Sequence, residues 1–547
     1  MRTPSQTSFP RRPAVIFERE ALVRGFDALA ELVKPTLGPL ARVVLIEGLT
    51  RDRTPEVLDH AAAIARRLIE LPHPTADVGA MMLRHALWRM HEICGDGAAT
   101  TAVIAQSIVH EGMRAIAAGA SPVRVRVGIE RGVALAVEAL RRLTEPAPLG
   151  ARRRAWLEGL AAAATPDVEL RQALVELVYV LGDDAYINIY NNDPNRIEYE
   201  FLEGALWDAP WLGGGFTADP TDRVARLQNA AVIVLDGLLD TAANTIMLLQ
   251  KLEAMGYRAA AIIASDLTDE ARTVLLQAKH RGLFHPLPIK TPYGGDKRAV
   301  ALHDIALLTG GRVLFSDKMP FAQKLSREDV GEARRVWANA KQFGIIAGRR
   351  DVQRLRQTIA GIRRQLETTT DSSTFDDLLR RLGQLSGSMG ILRIGAPTQR
   401  VQEARRDTAA RLARVMQLAL RSGVVAGGGA ALLKASMSIP TASNDDVGWG
   451  MRCVVRALEA PMRTLVANAG MDASASLHAA REANREGEAA FGFDVRSGAL
   501  VDLARAGVVD ALEVVENAVR VAGSLAAQVL TTEVVVHHRK PQSAAYP

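Results

Sequence analysis

The sequence predicts a mainly α-helical fold carrying an α/β insert, and three observations lead there. Ala, Val and Leu abound while aromatic residues make up only 5% of the chain, a composition suited to helix packing. Helical periodicity dominates both ends, and the middle alternates short apolar runs with helical segments, as a sheet covered by helices does. At 547 residues the chain is several times the usual domain length, so two to four domains are expected, each burying a core of its own.

Taken in order, Glu18 to about Pro146 reads as helix, interrupted by one β-like run, RVVLI (42–46), and by the breakers Gly38-Pro39 and Gly119. That is a helix bundle with a small hairpin. Between about Leu149 and Glu203 helical segments give way to YINIYNN and NRIEYEFLEG, which alternate apolar and polar residues as strands do. A boundary is expected near Gly204. From there to about Gly387, AAVIVLDG, RAAAIIASD and GRVLFSD are strands, separated by helices such as TAANTIMLLQKLEAMG and TDEARTVLLQAKHRG. After Asp351 come a charged helical pair and the strand GILRIGA, and Val401 to about Thr532 is again Ala- and Val-rich helix, closed by the strand-like EVVVHH. The simplest architecture packs the two ends into one discontinuous domain, with the central domain inserted into it.

Bulk properties exclude several classes. Two cysteines, Cys94 and Cys453, do not make a disulfide framework, and a reducing, cytoplasmic compartment is the simplest reading. No run approaches the roughly 20 apolar residues that span a bilayer, and MRTPSQTSFPRRPAVIFERE lacks the apolar core of a secretory signal, so a frayed terminus is preferred to a targeting segment. The net charge of +6 permits an anionic partner, but Arg152-Arg153-Arg154 and Arg349-Arg350 lack interleaved aromatics and read as solvated helix faces rather than a nucleic-acid platform.

The chemistry-bearing stretches are glycine corners. In GDGAATTAVIAQ, Gly95 and Gly97 can take positive φ, and Asp96 can cap a helix whose apolar stripe is Val103, Ile104, Ile108, Met113 and Ile116. Free amides and the macrodipole of that helix start suit an anion, and an acid beside it suits the Mg²⁺ of a triphosphate. The same residues also describe an ordinary capped turn, since neither GxxxxGK[ST] nor a full GxGxxG is present. KPTLGP (34–39) and GVVAGGGAALL (423–433) add two further corners, which could converge on one ligand if the chain ends pack together.

In this order the stretches resemble the group I chaperonins, the GroEL family. TLGP (36–39), Gly95 to Thr101, IVHEGMRAIAAGASPVRVRVGIERGV (108–133), LHDIALLTGGRV (302–313), GVVAGGGAALL (423–433), ALEAPMRTLVANAG (457–470) and VAGSLAAQVLTTE (521–533) carry the resemblance over almost the whole chain. It implies a three-domain subunit: an equatorial ATP-binding domain (1–142 and 422–547), an intermediate hinge domain (143–202 and 389–421) and an α/β apical polypeptide-binding domain (203–388). It also implies ATP, Mg²⁺ and K⁺ as cofactors. Non-native polypeptides, a ring homo-oligomer of seven subunits in one or two rings, and a GroES-type co-chaperonin are the implied partners. Nucleotide contacts carry over to Thr36, Leu37, Gly38, Pro39, Asp96, Gly97, Ala98, Ala99, Thr100, Gly428 and Asp510, with Asp96 as the metal ligand; taken alone, Asp510 reads equally as a helix cap. The apolar polypeptide-binding face carries over to Trp211, Leu212, Gly215, Phe216, Ile246, Leu249, Arg272, Leu276 and Gln277; alternatively these are core residues of the α/β domain.

Departures bear on mechanism. The family's GDGTTTAT reads GDGAATTA, which removes hydroxyls at Ala98 and Ala99 and leaves those of Thr100 and Thr101; each lost bond to a charged group is worth about 1.5 to 3 kcal/mol. The family's catalytic Asp, twelve residues before Gly423, is Arg411 here. An Arg cannot act as a base, but it can pair with phosphate as an arginine finger does; a solvated helix Arg is the alternative. Asp407 lies one turn earlier, roughly 6 Å along the axis. The family's Lys-Asp-Gly has its nearest equivalent at Asp59 or His60, with Asp59 preferred as the catalytic carboxylate, and the tail HHRKPQSAAYP replaces the family's Gly-Met repeat. The expected function is therefore an ATP-dependent chaperonin with slow hydrolysis. The alternative is a non-hydrolysing paralogue acting as a scaffold or co-assembling regulatory subunit.

Overall fold

A computed structural model describes residues 14–16, 19–40, 42–47, 56–148, 150–192, 196–213, 215–217, 223–315, 321–348, 352–369, 371–441, 443–485, 487 and 489–537. The N-terminal segment through Pro13, Arg349-Arg350 and the tail from His538 lie outside the described residues. The chain divides into two compact units, one made of 1–179 with 398–547 and the other of 180–397. The boundaries between the two units, 179/180 and 397/398, fall within the expected hinge segments, 143–202 and 389–421.

The first unit is helical and discontinuous in sequence. Its core joins side chains from both ends of the chain, among them Leu22, Phe26, Leu87, Ile104 and Ile129 with Val454, Leu458, Val519 and Ala526. Short β-pairings stitch the two ends together. Ala14–Ile16 runs antiparallel to Val535–His537, and Val424–Ala426 pairs with Val509–Ala511, setting Val425 opposite Asp510. The run predicted at 42–46 forms the strand Val44–Ile46, which makes a hairpin with Glu56–Leu58.

The second unit is α/β. One sheet places His285–Lys290, Ala259–Ala264 and Ala225–Asp236 side by side in parallel, then adds Gly331–Ala338, Phe343–Ala347 and Ala205–Trp207 antiparallel. The central runs 230–235 and Ala259–Ala264 are apolar throughout because both sheet faces are covered there. Trp207, fully buried, stacks on Phe343 with ring centroids 5.2 Å apart. A second sheet places Met389–Ile394 between Tyr186–Asn191 and Ile197–Leu202. Among the described residues no helix is long and apolar enough to cross a membrane.

Candidate functional site

The helix Pro74–Cys94 stops at Gly95 in the left-handed region (φ 73°), and Gly97 (φ 83°) begins the helix Ala98–Ala117. Asp96 does not cap that helix as the sequence suggested. Gly97 is itself the N-cap, and Asp96 Oδ1 accepts the Gly97 N–H, at 2.7 Å. The helix start therefore has no side-chain cap. Of the two remaining hydroxyls, Thr101 is unavailable: it is buried and donates to Gly97 O at 2.8 Å. Thr100 is half-buried, and Ala98 is buried.

The other two corners are built by packing. Lys34–Thr36 forms a 3₁₀ turn in which Thr36 Oγ1 donates to Val33 O at 2.7 Å, so this hydroxyl too is committed. Asn468 Nδ2 donates to Lys34 O and Leu37 O, at 3.1 and 3.0 Å, and fixes the loop that carries Gly38 and Pro39 against the first unit's helices. At the triple glycine, Gly427 N donates to Val508 O at 2.9 Å, and Gly429 caps the helix Ala430–Met437.

A cavity of about 70 Å³ gathers the charged residues. Its lining includes Asp96, Thr408, Arg411 and Asp510. Burial, and then the Asp96 charge, push the Asp510 carboxyl up to about 7. Asp510 is not a helix cap: Ala511 is the N-cap of Leu512–Thr531, which takes no side-chain bond. Thr36, Leu37, Gly38, Pro39, Gly97, Ala98, Ala99, Thr100 and Gly428 do not line this cavity.

Arg411 is no solvated helix residue. It projects from the helix Gln399–Ser422 into that cavity, with Nη2 donating to Thr408 Oγ1 at 3.2 Å. Burial lowers its pKa from the ordinary value, while the charges of Asp96, Asp59 and Asp407 oppose that shift. The helix sits directly on the corner: a Cβ on Gly95 would lie 3.0 Å from Arg411 O and 3.3 Å from its Cα. Glycine is required there by this approach as well as by φ. Arg414 donates to Glu92 O and Ile93 O at the end of the preceding helix, and Arg405 pairs with Asp167 at 2.8 Å.

Asp59 is exposed just after the strand Glu56–Leu58, close enough to attract Arg411. Next to it His60 starts the helix Ala61–Arg67 and stands 5.2 Å from His91 between ring centroids; His91 is 4.8 Å from Trp88. Burial, then the positive charge of Arg411, hold His60 well below the ordinary histidine range and His91 at about 4, so both rings are neutral at physiological pH. His91 Nδ1 is buried without a hydrogen-bond partner among the described residues. Sequence reasoning missed His91 and Trp88; their i, i+3 spacing, one turn before Gly95, was the available signal. Cys94 is core: it is buried, Asn517 Nδ2 lies 3.4 Å from Sγ, and burial pushes the thiol up to about 12.

In the second unit the expected apolar face is mostly interior. Leu212, Phe216 and Leu249 are buried in the α/β core, and Trp211 and Leu276 pack partly buried against it. Ile246 alone of the six apolar candidates is exposed, at 45%. Apolar side chains between a sheet and its covering helices gain more from one another than from standing in water, which is why these positions pack inward.

As to metal, the described residues hold no group of three or more His, Cys, Asp or Glu placed to bind an ion. Asp96 is exposed with one oxygen bonded to Gly97 N; a single carboxylate of that kind fits Mg²⁺ carried mainly by nucleotide phosphates.

A helical unit made from both chain ends, with a contiguous α/β unit between them, is the architecture of a chaperonin subunit. The sequence pattern of the TCP-1/cpn60 chaperonin family matches residues 29–540, and the chain belongs to that family. It is 31% identical over 530 residues to chaperonin GroEL 1 of Prochlorococcus marinus (strain MIT 9313), covering 96% of this chain and 91% of that protein. Its fold is shared with the chaperonin gp146 of bacteriophage EL 2 (Pseudomonas aeruginosa), crystallised in the presence of ATP-BeFx, at a TM-score of 0.69 and 16% identity, with 96% of this chain and 99% of the other covered. As a member of the family the protein is a chaperonin, a folding machine whose subunits assemble in rings around other polypeptides.

Proposed function

We propose that this chaperonin binds ATP with Mg²⁺ at the Asp96 corner and hydrolyses it slowly. One observation carries the reading: Arg411, in the place of the family's catalytic carboxylate, lines the cavity of Asp96 and Asp510. The uncapped amides at the start of Ala98–Ala117 suit phosphate oxygens, and Arg411 adds a guanidinium able to hold them in a fork. Asp96 would hold Mg²⁺, which neutralises phosphate charge when bound. Asp59 is a carboxylate beside Arg411 that could orient the attacking water, without a second carboxylate at position 411 to share the task. Loss of a positioned group of this kind costs about 10² to 10⁴ in rate.

Ring assembly, with seven subunits proposed per ring, finds support on the hairpin. Leu45 and Val57 face each other across its two strands and are 69% and 59% exposed; so small a sheet needs another surface to cover it. Residues 143–202 and 389–421 are retained as the hinge, Ile246 as a point of contact for non-native chains, and a GroES-type lid, K⁺ and a cytoplasmic setting complete the reading. The seated Arg411 helix favours one second reading, a subunit that binds nucleotide without turning it over and serves as a scaffold or regulator.

Phosphate release from saturating ATP with Mg²⁺ and K⁺ decides between them, with Asp96→Ala as the blank. Slow turnover above that blank, rising by about 10² in Arg411→Asp, is the expected result. Turnover at the level of the blank in both proteins leaves the second reading.

A further inference from the structure

We propose that the Arg411 guanidinium is a tethered cation of this site, and that ATP binding here consequently depends only weakly on Mg²⁺ and K⁺. The inference rests on the nucleotide reading of the Asp96 corner and goes beyond it, because it says what supplies the positive charge.

Three observations carry it. The cavity that holds Asp96 and Asp510 is lined by Arg411 itself, not by a neutral residue. Carboxylates lie around the guanidinium on separate elements: Asp96 at the corner, Asp59 after the hairpin strand and Asp407 on its own helix all attract it. The position is also fixed. Gly95 lets the backbone of Arg411 approach within van der Waals distance, and Arg414 anchors the same helix to the end of Pro74–Cys94. The imidazoles near Arg411, His60 and His91, are neutral and do not compete for anions.

A cluster of carboxylates without a cation repels a polyphosphate, so a site built on Asp96 alone would need its metal ion before it could accept one. Here the chain brings the cation with it. The guanidinium is weakly hydrated, permanently charged and able to bind phosphate through two parallel N–H donors. It can turn from its acidic neighbours to an incoming phosphate with no ion taken up from solution.

ATP binding to the assembled protein, measured by isothermal titration calorimetry in three buffers, tests this: Mg²⁺ with K⁺, Mg²⁺ with choline, and EDTA with choline. The native chain should lose less than about fivefold in affinity from the first buffer to the last. Arg411→Ala should bind more weakly than the native chain already in Mg²⁺ and lose roughly a further 10- to 150-fold in EDTA, the equivalent of one charge-assisted bond, and Arg411→Lys should recover part of that loss. Binding of the native chain that disappears in EDTA overturns the tethered cation and leaves the nucleotide reading standing, without any dependence on how a variant folds. Equal EDTA sensitivity in native and Arg411→Ala proteins overturns it likewise. Absence of ATP binding in every buffer removes both readings together.

Discussion

At Gly97 and at Gly429 the chain performs the same manoeuvre: a glycine in the left-handed region, φ 83° and 77°, starts a helix without help from a side chain. What surrounds the two is different. A Cβ on Gly429 would meet backbone, Met462 N at 2.9 Å, whereas one on Gly97 would meet the ends of side chains, Val514 Cγ1 at 2.9 Å and Met90 Cε at 3.1 Å. Only the first corner of the pair is preceded by an acid, Asp96, with Arg411 lining the same cavity. Glycine is thus demanded by geometry at both, and the capacity for chemistry comes from the charged residues gathered around one. A glycine corner speaks for the fold, and its neighbours speak for the function.

The sharpest way to break this comparison is to add a methyl group at each corner. Gly429→Ala combines left-handed strain with a backbone clash and should cost about 3 kcal/mol or more in urea unfolding. Gly97→Ala should cost about 1 to 2 kcal/mol, since Met90 and Val514 can shift; equal losses would mean that the neighbours do not matter.

A second difference is titration. His91 sits at about 4 in the folded chain, through burial and then Arg411, against an ordinary 6.5, so between those values the unfolded chain binds more protons. Stability therefore rises with pH across that window, and the folded state is penalised below it. His91→Leu should flatten this limb, gaining about 2 kcal/mol at pH 4 after allowance for solvent screening. An unchanged pH profile would show that His91 is not held neutral beside the first corner.

The smallest test separates two adjacent hydroxyls. Thr100→Val should weaken ATP binding about tenfold, while Thr101→Val, whose hydroxyl serves Gly97 O, should leave binding intact and cost about 1 kcal/mol of stability. Equal effects on binding would place both hydroxyls at the phosphates.

Much of this was legible in the sequence, and the failures have physical causes. The discontinuous helical unit follows from helical periodicity at both ends, and the eight predicted β-runs became Val44–Ile46, Tyr186–Asn191, Ile197–Leu202, Ala225–Asp236, Ala259–Ala264, Val313–Phe315, Met389–Ile394 and Val535–His537. His285–Lys290 escaped because Pro286 and Pro288 argue against a strand; they are tolerated on a sheet edge, where one side needs no donors. Arg411 could be placed by counting from Gly423, yet its meeting with Asp96 and Asp59 joins residues hundreds of positions apart and is a property of packing alone. The inward turn of Leu212, Phe216 and Leu249 was equally invisible, since an apolar residue reads the same whether it faces a core or a client.

The pairing of Ala14–Ile16 with Val535–His537 has a consequence for the newborn chain. The helices Ala98–Ala117 and Pro122–Arg142 leave the ribosome long before their partners Asp446–Asn468 and Leu512–Thr531 exist, and this strand pairing waits for residue 537. Residues 180–397 are contiguous and can close as soon as they are made. During synthesis, the contiguous unit of this folding machine can therefore close before the discontinuous one, whose two halves are separated by 218 residues of intervening chain (180–397).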